Sequence, residues 1–558
     1  MMQFNHRKYH ASPVVHLPDR QWPNQVFTKA PRWVSVDLRD GNQALRSPMT
    51  VTRKQQLWQL LIKLGFKEIE VGFPAASQPD YDFVRWLIEQ DQIPADVWIQ
   101  VLTQARADLI ERTFTALQGA PRAIVHVYNS ISPIQRSRVF NQDRAGIMKL
   151  AMQGAEWVAN TAAHYSDTHW RFQYSPESFS QTELDYAVEV IQSVLNVWQP
   201  TSSQPCIINL PATVESNSPN VFADQVEYVK RALNHDDRVI LSIHTHNDRG
   251  CAVAATELAL LAGAERVEGT LLGNGERTGN VDIMTLAMNL YSQGIDPELD
   301  MSNPDEIITV IEDCTGIACH PRHPWVGELV YTAFSGSHQD AIRKCLQQQT
   351  PNTTWQVAYL PIDPRDLGRD YSAVIRVNSQ SGKAGLAFVL EREYGLLLPR
   401  WIQQALAPIV QYETEQQGGM IDAQRIRTLF EQTFICDQAP VQLLGYQLQR
   451  NGHDDMTARL MVNHQEIIIH GTGSGALAAF IAAWCNWSGQ LLDVRDYYEQ
   501  ALGAGTDADA VAYVLLADDA NQNAAIAGVA IDRDTVSAAL KAVISAVNLR
   551  QLQLVTSD

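Results

Sequence analysis

Val239-Ile240-Leu241-Ser242-Ile243-His244-Thr245-His246-Asn247 starts as an apolar, β-branched run and ends in two imidazoles and an amide, with Asp248 next. Such a run predicts a strand covered on both faces, and polar residues gathered at its C-terminal end are how a parallel sheet presents a site. Similar runs fall near Val34–Leu38, Lys67–Phe73, Val97–Thr103, Arg122–Ser130, Trp170–Glu177, Cys206–Thr213 and Arg266–Gly273, each followed by a helical pattern. Eight βα units are what a closed (β/α)8 TIM barrel requires, so the expected fold class is α/β. The first helix illustrates the pattern: Thr50 can cap it, Leu57, Leu60, Leu61 and Leu64 share a face, and Gly65 ends it.

Composition bounds the partners. The chain has 558 residues with 43 Lys+Arg against 62 Asp+Glu, a formal net charge of −19, which disfavours a general nucleic-acid binder. No run approaches the roughly 18–20 apolar residues of a membrane span, so no membrane role is expected. Seven cysteines contain no C-x-x-C pair, which argues against a disulfide framework or a thiolate zinc site. With no apolar signal core near Met1, the expected location is the cytoplasm.

Residues 1–30 read as an extension, 31–325 as the barrel and 326–436 as linker subdomains in which the βα rhythm fails. Residues 437–558 read as a separate α+β domain. There, runs at Val441–Gln449, Met456–Asn463 and Gln465–His470 precede a helix at Gly475–Trp487. The pattern then repeats, with Gln490–Leu502, Asp509–Ala517 and Ala524–Ile531 before a helix at Asp534–Asn548. This βββα duplication suits an effector or dimerisation module.

In a barrel the chemistry gathers where the strands end. His244 and His246, at i and i+2, point to one face of their strand and can address one divalent ion. Asp40 at the end of the first strand and Asn280 just past the eighth would complete a mixed nitrogen and oxygen set, suited to zinc, manganese or magnesium without choosing among them. Arg39 can pair with Asp40 or hold a developing oxyanion. His126, Glu177 and Thr213 also sit at strand ends. The glycines of Gly273-Asn274-Gly275-Glu276-Arg277-Thr278-Gly279-Asn280 would let the backbone carry Asn280 inward, and Glu276 and Arg277 could pair with each other.

Three separated motifs carry a resemblance: Asp37-Leu38-Arg39-Asp40-Gly41-Asn42-Gln43, His244-x-His246-Asn247-Asp248 and the Gly273–Asn280 run. Together they resemble the acyl-CoA-using, Claisen-condensing TIM-barrel metalloenzymes, a family that includes 2-isopropylmalate, homocitrate and citramalate synthases, with 3-hydroxy-3-methylglutaryl-CoA lyase as a relative. Tyr331–Ala341, Val377–Lys383 and the C-terminal duplication narrow the resemblance to the longer 2-isopropylmalate synthase type.

The resemblance implies a divalent metal (Mg2+, Mn2+ or Zn2+) on Asp40, His244, His246 and Asn280, and acetyl-CoA and a 2-keto acid as substrates. It implies Arg39 near the ketone, Thr213 on the carboxylate, His126 at the substrate, and Glu177 close to the reacting centre. It further implies a homodimer in which His338, with Tyr371 near it, reaches the active site of the partner subunit. His338 and Glu177 are rival bases. The product would be 2-isopropylmalate from 3-methyl-2-oxobutanoate, the first committed step of leucine biosynthesis, with citramalate or homocitrate chemistry as the alternative. Leucine as feedback effector would be received around Gly473, Gly475 and Ala478, in a glycine-rich turn that here lacks the proline often found in the family.

Overall fold

The computed structural model describes residues 6–9, 11–234, 236–333, 335–351, 353–369, 382–417, 421–503, 507–517 and 525–556. Two compact units emerge: residues 1–330 with 366–368, and residues 331–365 with 369–558.

The first unit is built on a closed barrel of parallel strands in sequential order: β1 (Arg32–Ser35), β2 (Glu68–Gly72), β3 (Trp98–Gln104), β4 (Arg122–Ser130), β5 (His169–Glu177), β6 (Cys206–Ala212), β7 (Val239–Thr245) and β8 (Arg266–Gly269). β1 closes the ring by pairing with β2 and β8, so that Ser35 lies beside Ile69 on one side and Gly269 on the other. The intervening helices are α1 (Val51–Leu64), α2 (Gln78–Glu89), α3 (Ala107–Leu117), α4 (Arg144–Ala162), α5 (Leu184–Trp198), α6 (Pro219–Ala232) and α7 (Ala252–Leu261), with α8 (Ile283–Tyr291) after β8 and α9 (Pro304–Thr315) beyond it.

α1 forms as its sequence predicts. The Thr50 hydroxyl accepts from Arg53 N at 3.4 Å, Gly65 stops the helix at φ +101°, and Leu57 and Leu61 are fully buried. Burying each such leucine contributes roughly 1.5–3 kcal/mol.

Two strands stop earlier than their apolar runs suggest. β1 ends at Ser35 because the amides of Arg39, Asp40 and Gly41 all converge on the Val36 carbonyl, at 3.2, 2.9 and 3.1 Å, coiling Asp37–Gly41 into a π-type turn. β8 ends at Gly269, where the chain turns through Leu271–Gly273. The polar end of each run thus lies in the turn after the strand.

The segment before β1 binds the first unit's flank: Arg20 and the Trp22 indole reach the Asp224 carboxylate, and the Gln21 and Trp22 amides donate to Glu227.

The second unit opens with α10 (Gly336–Gln348), α11 (Gly382–Tyr394), α12 (Arg400–Gln417) and α13 (Ala423–Phe434). Two βββα repeats follow: β9 (Val441–Arg450), β10 (Asp454–Val462), β11 (Gln465–Gly473) and α14 (Ala476–Ser488), then β12 (Val494–Leu502), β13 (Asp509–Ala517), β14 (Ala525–Asp532) and α15 (Thr535–Thr556). Each triplet is a separate antiparallel sheet, β11-β10-β9 and β12-β13-β14.

The duplication extends to single atoms. A Cβ at Gly471 of β11 would lie 2.4 Å from the Ala479 carbonyl oxygen and 2.3 Å from the Ala483 nitrogen. A Cβ at Gly528 of β14 would lie 2.3 Å from the Ala542 oxygen and 2.4 Å from the Ala546 nitrogen. In both repeats, only glycine on the third strand lets a helix with alanines four apart lie directly on the sheet.

Candidate active site

The cleft at the C-terminal ends of the strands has a volume of about 250 Å3 and is lined by Arg39, Asp40, His126, Tyr128, Ser175, Glu177, Asn209, Thr213, His244 and His246, among others. Local chain geometry brings these side chains together. The turn after β1 presents Arg39 and Asp40, and β7 presents His244 on its interior face. His246 follows β7 in an antiparallel backbone bridge with Asn280. That bridge forms because the Gly273–Gly279 loop folds back sharply: a Cβ at Gly279 (φ +96°) would fall 1.9 Å from the Gly273 oxygen.

Asp40 Oδ2 faces His244 Nε2 at 3.2 Å and His246 Nε2 at 3.8 Å. One donor atom from each of these three residues lies within 4.8 Å of the other two. His246 Nδ1 and Asn280 Oδ1 are buried and have no hydrogen-bond partner among the described residues, and Asp40 Oδ2 meets only the two imidazoles. A buried acceptor left unpaired is costly, and a bound cation is one way to satisfy it. His244 Nδ1 lies 3.0 Å from Glu268 Oε2, the carboxylate contact that fixes the ring and turns Nε2 toward Asp40. The donor set therefore fits a divalent cation held by oxygen and imidazole.

Burial alone would raise the Asp40 carboxyl, but Arg39, His244 and His246 hold it well below the usual range. Burial opposes the His244 charge, yet Asp40 and Glu268 bring the ring up to about 9. Burial and the charge on His244 push His246 down to about 4. Burial likewise disfavours the Arg39 charge, and Asp40 and Glu70 overcome it.

Beneath the cleft runs a buried polar network that no motif signalled. Arg39 bonds Asp40 Oδ1 at 2.9 Å and also pairs closely with Glu70. Glu70 meets His126 Nδ1 at 2.7 Å, and His126 Nε2 meets the Ser175 hydroxyl at 2.7 Å. Gln100 donates to Glu70 at 2.6 Å and to Glu268 at 3.0 Å, while Asn209, Gln173 and Arg266 also donate to Glu268. A second cluster, Glu70, His126 and Glu268, has metal-like spacing, but its acceptors are already engaged by Arg39, Gln100 and Arg266. It supports the site above it.

The remaining sequence candidates fall as follows. Glu177 accepts a close hydrogen bond from Ser130, and the Thr213 hydroxyl accepts from Ser178 N at 2.9 Å, both at the cleft wall. Arg277 pairs with Asp248 at 2.6 Å and not with Glu276, which accepts from Gln43; the Arg277 backbone at φ +58° turns its side chain toward the β7 loop. His338 lies in the second unit on α10, not on a loop, exposed and stacked on Tyr359 with centroids 4.0 Å apart. Tyr371 lies outside the described residues. In the second unit Gly473 ends β11, where a Cβ would fall 2.4 Å from Ala479 N, while Gly475 caps α14 in open space and Ala478 is exposed.

Comparison with known proteins agrees with the architecture. The HMGL-like family matches residues 30–311, the alpha-isopropylmalate synthase post-catalytic domain-like family residues 328–391, and the LeuA allosteric (dimerisation) domain residues 420–550. The 2-isopropylmalate synthase of Alcanivorax borkumensis is 53% identical over 554 residues, covering 99% of this chain and 98% of that one. Those of Parafrankia sp. and Rhodospirillum rubrum are each 54% identical, over 550 and 549 residues, with 97% of this chain covered and 97% and 98% of theirs. With the barrel, the metal-suited cleft and the duplicated C-terminal fold all present in one chain, this protein belongs to the 2-isopropylmalate synthase family.

Proposed function

We propose that the chain condenses acetyl-CoA with 3-methyl-2-oxobutanoate, giving 2-isopropylmalate and CoA, the first committed step of leucine biosynthesis. The observation that carries the site assignment is the approach of Asp40 Oδ2 to both His244 Nε2 and His246 Nε2, with the buried Asn280 Oδ1 left without a hydrogen-bond partner among the described residues. Asp40, His244, His246 and Asn280 would hold the divalent metal, which when bound polarises the ketone of the acceptor.

Arg39, kept charged and immobile by Asp40 and Glu70, offers a guanidinium to the negative charge that develops on the ketone oxygen. Thr213 at the cleft wall receives the carboxylate of the keto acid. His126 and Ser175, tied to each other and through His126 to Glu70, present a fixed polar floor to the substrate. A base, His338 of the partner subunit or Glu177 within the barrel, takes a proton from the methyl carbon of acetyl-CoA. That carbon attacks C2 of the keto acid, forming the carbon–carbon bond, and the former ketone oxygen gains a proton. Water then cleaves the thioester, releasing CoA and leaving a carboxylate.

A homodimer fits the match to a dimerisation domain and would bring His338, with Tyr371, to the partner's cleft. Leucine would bind the second unit around Gly473, Gly475 and Ala478 and lower activity.

The test is thiol release from acetyl-CoA with 3-methyl-2-oxobutanoate, pyruvate or 2-oxoglutarate as acceptor, each with and without chelator, and then with leucine. Chelator-sensitive release that favours the branched acid is expected. A preference for pyruvate or 2-oxoglutarate would give the site to the citramalate or homocitrate reaction, and release unaffected by leucine would remove the effector assignment.

A further inference from the structure

Lys54 has no exposed surface. It sits on the buried face of α1, one turn before Leu57 and Trp58, where an apolar residue would be expected. We propose that Lys54 is a positioning residue for the condensation: its ammonium braces the turn that carries Arg39 and Asp40, tying that turn to the end of β2 and to α2. The inference rests on the reading of Arg39 and Asp40 as parts of the active site.

All three ammonium protons have a destination on a different element. Nζ donates to the Leu38 carbonyl at 2.8 Å, to the Val71 carbonyl at 3.3 Å and to Asp80 Oδ1 at 2.6 Å. The Leu38 carbonyl belongs to the peptide unit that begins Arg39, so fixing it fixes the direction in which Arg39 and then Asp40 leave the turn. The other Asp80 oxygen accepts from Phe73 N at 2.8 Å, which anchors the pair to the loop after β2. Gly72 makes room for that carboxylate: a Cβ there would fall 2.9 Å from it. Burial disfavours the Lys54 charge, and Asp80 opposes that effect.

A buried ion pair is a poor device for stability, since apolar residues of similar volume often do as well or better. What an apolar pair could not do is hold the Leu38 carbonyl at one place. The requirement at the turn is strict, because Asp40 must offer Oδ2 to the two histidines while Oδ1 stays on Arg39. Catalytic groups displaced by even an ångström lose much of their effect.

The experiment compares wild type with the double variant Lys54→Met/Asp80→Asn, which removes the charge pair without leaving either charge buried alone. Melting temperature, Mn2+ affinity of the chelated protein by calorimetry, and kcat and KM are measured for each. We expect a melting temperature close to wild type, a Mn2+ affinity at least about tenfold weaker, and a kcat at least about tenfold lower with KM for acetyl-CoA unchanged, as for loss of a group that orients metal ligands. A folded double variant with wild-type kcat and Mn2+ affinity would overturn the proposal. Should the double variant not fold, Asp80→Asn alone decides, because it releases Nζ from α2: Mn2+ affinity and kcat should both fall by about threefold or more with KM for acetyl-CoA unchanged, and a folded Asp80→Asn with wild-type values of both would overturn the proposal. A wild-type protein that binds no Mn2+ and releases no thiol would sink the catalytic reading itself, an outcome distinct from either of these.

Discussion

The barrel interior and the C-terminal repeats are both built from helices laid on strands, yet they bury opposite chemistry. Between the barrel strands lie Glu68, Glu70, Gln100, His126, Gln173, Asn209, His244, Arg266 and Glu268, all at most 7% exposed. The repeats instead bury Ala458, Leu460, Ala479, Phe480, Ala483, Val514, Ala542 and Val543. The apolar interior needs only shape, which glycine and alanine supply at the strand–helix contact. The polar interior needs donors matched to acceptors, a demand met by the ring of Arg39, Gln100, Gln173, Asn209 and Arg266 around Glu70 and Glu268. Fold and site are thus separable: the repeats show what folding alone asks of a sequence, and the barrel shows what a reaction adds.

That contrast can be broken in graded steps. Asp40→Ala removes a proposed ligand and one of the two carboxylates paired with Arg39 at once. Condensation should fall by about 10^3-fold, in line with several kcal/mol of charge stabilisation, while circular dichroism stays near wild type. Next, Glu268→Gln removes one of the two carboxylates paired with Arg266 and the carboxylate that meets His244 Nδ1. Urea titration should show a loss of about 3 kcal/mol, and calorimetry a cation affinity about 10–100-fold weaker. In the repeats, Gly528→Ala should cost roughly 1–3 kcal/mol of stability through the overlap with the Ala542 and Ala546 backbone, with cation affinity of the barrel unchanged. Equal damage to cation affinity would erase the distinction between the two interiors. Smallest of all, Lys63→Ala breaks an ion pair with Glu306 whose lysine side chain is 61% exposed, and thermal melting should register less than about 0.5 kcal/mol.

The same contrast explains what was legible in the sequence. β4 was delimited residue for residue as Arg122–Ser130, because a long β-branched run ends in a polar cluster there. The order of the two repeats was also legible, since strand alternation and helix periodicity are local signals, although β12 begins at Val494 and not at Gln490, and α15 runs past Asn548 to Thr556. Arg39, Asp40, His244, His246 and Asn280 were legible because they stand at the ends of runs and in motifs. Glu70, Gln100, Ser175, Asn209, Arg266 and Glu268 were not, because polar residues inside a strand usually face water. In a closed parallel barrel the outer face is covered by helices, so a polar residue in mid-strand can only face inward. That rule would have found them, as the i and i+2 pairs Glu68 and Glu70, Gln173 and Ser175, and Arg266 and Glu268. Lys54 is hidden for the same reason: nothing local distinguishes a lysine whose ammonium meets buried carbonyls from one that faces water. The early ends of β1 and β8 are not legible, because the turns after them leave no mark in apolar periodicity.

The most direct test of the account is a titration of Mn2+ into chelator-treated wild-type protein, following bound metal and thiol release from acetyl-CoA with 3-methyl-2-oxobutanoate in the same samples. The account predicts that release rises in step with metal bound at a single site and that Asp40→Ala abolishes both together. Full release by the metal-free protein, or tight metal binding that survives Asp40→Ala, would contradict it.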